Sequence, residues 1–349
     1  MLNGVFVPAH PHTSLDIPTI SSLSTQPILF TQVPAFDTVH DKLVSFIDST
    51  PSVQNSSVLK DDLAQTMFPW LKERYADKSK TTTTGPEVVA AFGRTVTALA
   101  AELPAASLFP LLDVWRLAIL EPTIAPVTLA PLVKVLSSTN ESVASSPRAT
   151  LLTLLRLATN GLGTSISRSL LASDVRARAA LTGVLVQTLL HPDRLVRVAA
   201  ASLGFNVGAW VQKGRVARAR GGDDVVNGGL REGEEDGEWE VELVSAVAEA
   251  LANEEESEDA GELSRLGSLI PITGPGLTFF GLYLVHRLTA TLAFLIRLSP
   301  FYQDQLVPLL SVLQVKETLK GKLAEDGKLR LRKKEIRALV GEVADQLCM

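Results

Sequence analysis

The chain has 349 residues, 46% of them hydrophobic and only 5% aromatic, with a single cysteine. Such a composition points to close-packed helices of Leu, Val and Ala, and it excludes a disulfide framework or a cysteine-based zinc site within one chain. The net charge of −5 hides an asymmetry: Glu232–Glu262 holds 14 acids and no Lys or Arg, and the remainder carries 33 basic against 24 acidic residues, an excess too small and scattered for a nucleic-acid surface.

Residues 1–26 are rich in Pro, Ser, Thr and His and show little periodicity, so we read them as a disordered or loosely attached leader. They lack the basic-then-apolar layout of a signal peptide, which fits a cytoplasmic or nuclear chain. Pro27–Pro34 (Pro-Ile-Leu-Phe-Thr-Gln-Val-Pro) reads as an extended segment leading into the first helix. Asp37–Ser49 and Leu59–Arg74 carry apolar stripes at helical spacing (Leu43 and Ile47; Leu63, Met67 and Trp70). Pro86 suits the first turn of a helix over Pro86–Leu103, and Leu108–Leu120 stops at Glu121-Pro122 because a residue before Pro leaves the helical region.

Pro126–Leu136 and Pro147–Asn160 follow as helices, broken by Gly161 and Gly163 before a short helix over Ile166–Ala172. Ser173-Asp174 predicts a cap for Val175–Leu190, and His191-Pro192-Asp193 turns the chain into Arg194–Val211. Asp113, Arg156 and Ala200 recur at about 43–44 residues, the interval of armadillo and HEAT units. The expected architecture is therefore all-α, an armadillo/HEAT-like helical-repeat solenoid of about six repeats.

Beyond it, Arg215–Glu238 is Gly-rich and charged and reads as a disordered acidic insert, near 215–240. Glu240–Ala252, His286–Leu298, Gln303–Val312 and Glu335–Leu347 have helical patterns, and Lys316–Arg337 reads as a solvated connection. Leu266–Val285 has 20 residues without a charge, but Pro271, Gly274, Pro275 and Gly276 break it near the middle. A buried loop with one short helix is expected there rather than a membrane span.

No catalytic or cofactor site is expected. His10 and His12 lack the third ligand that a zinc site needs. Gly161-Leu-Gly163 lacks the rest of a nucleotide fingerprint, no Gly-x-Ser-x-Gly elbow occurs, and Cys348 has no histidine near it in sequence. The informative side chains are Arg116, Arg156 and Arg287, each isolated on an apolar helix, with Asn160 at the end of its helix and Asn206 within Arg194–Val211. One reading is structural: Asp113 lies three residues before Arg116, and Asn caps helices. The other is functional: these helices line one face of the array, with the guanidinium groups on its exposed edge as a row of forked donors for carboxylates, and the amides bond the backbone of an extended peptide.

At these residues the chain resembles the PUL domain, an armadillo-type domain named after phospholipase-activating protein. The resemblance runs over roughly Pro27–Leu347 and is carried by Leu108–Leu120 (with Phe-Pro-Leu-Leu-Asp-Val-Trp-Arg-Leu), Leu151–Asn160, Val196–Asn206 and His286–Ile296. It implies one PUL domain over 27–349 that binds the acidic C-terminal tail of the valosin-containing AAA ATPase in ubiquitin-dependent protein turnover. Arg116, Arg156 and Arg287 would line its basic groove, with Asn160 and Asn206 beside them. Pro27–Pro34 is similar to the start of PUL domains in fungal PPPDE–thioredoxin–PUL proteins. The alternative reading follows from that: a C-terminal piece of a PPPDE-type cysteine peptidase or deSUMOylase product, without its catalytic domain. In the family the acidic loop runs almost directly into the helix at His286, so about Gly261–Val285 reads as an insertion or a retained intron.

Overall fold

The computed structural model describes residues 17–76, 84–167, 169–221, 237–254, 284–324 and 334–348, and every regular element among them is helical. Successive helices pack on their neighbours, as in a helical-repeat array. The described residues divide into two compact units, one of residues 27–206 and one of the rest. The expected acidic insert falls largely, and the apolar insert almost wholly, outside the described residues. The exceptions include 284–285, which are helical. No described helix is long and apolar enough to cross a membrane.

The first helix among the described residues, α1 (Pro18–Ser22), belongs to the second unit. The first unit then begins with an extended stretch, residues 27–35, and α2 (Phe36–Asp48), which buries Phe36, Leu43 and Ile47. The next predicted helix is three pieces: α3 (Ser56–Asp61), a π-helical segment over Asp62–Met67, and α4 (Phe68–Ala76). Pro69 explains the change of pitch. It has no N–H for the ladder and its ring crowds the carbonyl four residues back, and a wider turn relieves both. Asp62, carried inward on that turn, accepts bonds from Arg94 Nε (2.9 Å), Arg94 Nη2 (2.7 Å) and Thr95 Oγ1 (3.0 Å), tying it to α5 (Pro86–Glu102).

Next come α6 (Phe109–Ala118), α7 (Ile124–Val127), α8 (Leu129–Asn140), α9 (Arg148–Leu162) and α10 (Val175–Leu189). Helix α6 packs on α9 and α8 on α10. Gly161 lies inside α9, and the helix stops at Gly163. The predicted cap is present: Asp174 Oδ1 accepts from the backbone of Arg176 (2.9 Å) and Ala177 (3.1 Å). Asp193 does the same for α11 (Arg194–Ala219), accepting from Leu195 N at 2.8 Å. Residues up to Asn206 of α11 belong to the first unit and those from Val207 to the second.

Three readings of sequence are corrected in the second unit. Residues 215–219 are helix, the last turn and more of α11, not part of a loop. The leader is anchored where it is described: Ile17 and Ile20 are buried, and Glu342 accepts the backbone N–H of Thr19 (3.0 Å) and Ile20 (2.7 Å) at the start of α1. Those are N–H groups that a helix cannot satisfy by itself, and a carboxylate also suits the positive end of its dipole. The basic stretch after Lys316 is helical over much of its described length.

The remaining helices are α12 (Glu238–Asn253), α13 (Leu284–Ile296), α14 (Val307–Val312), α15 (Val315–Leu323) and α16 (Lys334–Glu342). A π-helical segment, Tyr302–Leu306, precedes Pro308 in α14, repeating the device at Pro69. Helix α12 packs on α13, which is buried at every position but His286. Close approach of α11 to α13 depends on Gly208, where a Cβ would stand 3.1 Å from Phe294 Cβ and 3.3 Å from the Thr291 carbonyl. At the centre of this unit Arg215 donates to Glu240 Oε2 (2.6 Å) and to the Leu295 carbonyl (2.6 Å), and Ser299 Oγ donates to Glu240 Oε1 (2.6 Å).

Candidate functional site

An extended chain directs the N–H and C=O of one residue to the same side, and the pattern repeats every second residue. The segment from Ile28 to Gln32 is read in that way by side chains of three successive repeats. Asn206 Oδ1 accepts from Ile28 N–H (2.8 Å) while its Nδ2 donates to Ile28 O (2.9 Å) and Thr159 O (3.0 Å). Asn160 Oδ1 accepts from Phe30 N–H (2.7 Å), and its Nδ2 donates to Phe30 O (3.0 Å) and Arg116 O (2.6 Å). Arg116 donates through Nη1 to Phe30 O (2.8 Å) and through Nη2 to Gln32 O (2.7 Å).

Arg116, Asn160 and Asn206 lie 44 and 46 residues apart, one repeat each, while the residues they hold run Gln32, Phe30, Ile28. The strap therefore runs antiparallel to the order of the repeats. Gly163 lets it pass close to the end of α9, since a Cβ there would stand 2.5 Å from Leu29 Cδ2.

The amides thus bond an extended backbone, as their chemistry suggests, and the backbone is the chain's own. The expectation of exposed groove residues is corrected for four of the five: Arg116 is 4% exposed, Asn160 0%, Asn206 3% and Arg287 1%. The physical reason differs. The first three are covered by the strap and satisfied by it. Arg287 is carried inward on α13, in the other unit, where burial pushes its pKa down to about 9 and leaves it a cation at neutral pH. The local pairing considered for Arg116 is also present, with Nε donating to Asp113 Oδ1 at 2.7 Å.

Arg156 is the exception. It is half-buried, and its guanidinium sits over the Phe30 ring, 5.6 Å from the centroid. Burial first, and then the positive charge of Arg116, hold its pKa below the ordinary arginine value, with Asp113 opposing them. Its Nε finds no hydrogen-bond partner, and no carboxylate pairs with it among the described residues. A cation held against an aromatic face with donors unfilled is suited to receive an anion.

The Asp62–Arg94–Thr95 cluster and the Arg215–Glu240–Ser299 network leave no signal in the sequence, because their partners are far apart in the chain. Cys348 offers no nucleophile: it is 1% exposed, and burial pushes its thiol up to about 12, so thiolate is scarce at neutral pH. Ellman's reagent should therefore leave the native chain unmodified and titrate one thiol after unfolding in guanidinium; rapid labelling of the native chain would contradict that burial.

The family model of the PUL domain matches residues 24–265. No curated protein matches the chain.

Proposed function

Since the chain belongs to the PUL domain family, we propose that it is a non-catalytic scaffold docking the acidic C-terminal tail of the valosin-containing AAA ATPase, in the cytoplasm or nucleus, in ubiquitin-dependent protein turnover. The PUL domain is a protein-interaction domain. The observation that supports the finer reading is Arg156, a guanidinium backed by Phe30 and without an anionic partner among the described residues. In this reading Arg116, Asn160 and Asn206 act indirectly. They hold Phe30 in place, and Phe30 orients Arg156 toward a tail carboxylate. Arg287, at 1% exposure, supports the fold of its unit and does not touch the tail.

Fluorescence anisotropy with a labelled tail peptide tests this. Arg156→Glu should weaken binding by at least about tenfold, because it exchanges an attraction for a repulsion, and raising salt should weaken binding to the unmodified chain. Equal affinity in Arg156→Glu, with an unchanged helical spectrum, would reject Arg156 as the contact.

A further inference from the structure

We propose that the second unit carries a separate pocket for an acidic peptide segment with an apolar side chain. The pocket has a volume of about 410 Å³, within the range of sites that enclose a ligand rather than a surface ion. Ile20, Val216 and Phe294 give it apolar walls, and Lys213, Arg220 and Arg297 supply three cations. No carboxylate lines it among the described residues.

The helical period explains how the cations converge. Lys213 lies on α11 and Arg220 in the turn that directly follows it, about two turns further on, with Val216 and Ala217 between them on the same face. Both cations are exposed, and neither forms an ion pair among the described residues. Arg297 stands deeper, 4% exposed, and donates through Nη2 to Ser21 Oγ on α1 at 3.2 Å. Glu342, by holding the backbone of α1, fixes that wall. Cations at the rim of an apolar recess complement a peptide that sets carboxylates on either side of a buried apolar side chain.

The inference shares its ligand chemistry with the tail-docking reading, but it concerns other residues and stands if that reading fails. The test uses the full chain and two labelled probes, acetyl-Asp-Glu-Leu-Phe-Asp-Glu-amide and its Asn/Gln counterpart. The acidic probe should bind, the neutral one should bind at least about tenfold more weakly, and Lys213→Glu with Arg220→Glu should abolish the difference. Both positions are exposed, one on α11 and one in the turn after it, so the double variant should fold, as circular dichroism would check.

Equal affinity for the two probes, or undiminished binding of the acidic probe by the folded double variant, would overturn the pocket. So would loss of that binding in Arg156→Glu alone, which would place the acidic probe at Arg156. A tail peptide that still distinguishes Arg156→Glu, while the probes fail, would overturn the pocket and leave tail docking standing.

Discussion

Glu240→Gln should be among the most destabilising single substitutions in the chain, lowering stability by about 3–5 kcal/mol, the range found when one partner of a buried ion pair is removed. Glu240 is 0% and Arg215 4% exposed, and the carboxylate oxygens are divided between Arg215 and Ser299. An amide keeps the volume but leaves the guanidinium without a counter-charge in a site that water does not reach. The pair itself is not thereby worth that much, because its formation strips both ions of water. Replacing the group together, Arg215→Met, Glu240→Leu and Ser299→Ala, should accordingly recover much of the loss. Urea denaturation followed by circular dichroism checks both. A midpoint unchanged by Glu240→Gln would show that the charge is not needed there.

Asn160→Ala should cost about 3 kcal/mol and release the strap at Phe30. The substitution orphans a buried N–H on Phe30 and removes a donor from the Arg116 carbonyl, and each such loss is worth about 1–3 kcal/mol. Arg116 Nη1 still serves the Phe30 carbonyl, so the strap should loosen locally before it leaves. Asn206→Ala should act in the same way one step along, at Ile28. Hydrogen exchange at the Ile28 and Phe30 amides reads this directly. Each variant should speed exchange most at its own strap residue, by on the order of a hundredfold at Phe30 for Asn160→Ala, following from the free-energy loss. Unaltered exchange at Phe30 would mean that the strap is held by packing and not by the amide.

Local signals carried much of the fold. The apolar periodicity of α6 and α9, the proline starting α5 and the Asp174 cap each act within a turn or two of chain, and the structure has them where they were expected. In two of the three corrected stretches, charge is the cause. Residues 215–219 and Lys316–Leu323 look solvated by composition, yet Arg215 finds Glu240 25 residues away and Lys322 finds the Glu254 carbonyl 68 residues back. Partners so distant leave no periodic trace.

The site was legible in its chemistry and not in its occupant. Asn160 and Asn206 are spaced to bond an extended backbone, and Pro27–Pro34 reads as extended, but no property of either stretch says that one holds the other. Arg287 was expected at an exposed edge because its helix is otherwise apolar. That same apolarity draws all of α13 but His286 inward and takes the guanidinium with it.

The side-chain Nε–H resonance of Arg156, followed by NMR while an unlabelled tail peptide of the ATPase is added, reports most directly on a groove already filled by its own strap and open to a partner at one guanidinium. Saturable movement of that resonance, with the Phe30 amide still protected from exchange, is the predicted result. An unmoved Arg156 resonance, or a Phe30 amide that loses protection as the peptide displaces the strap, would contradict it.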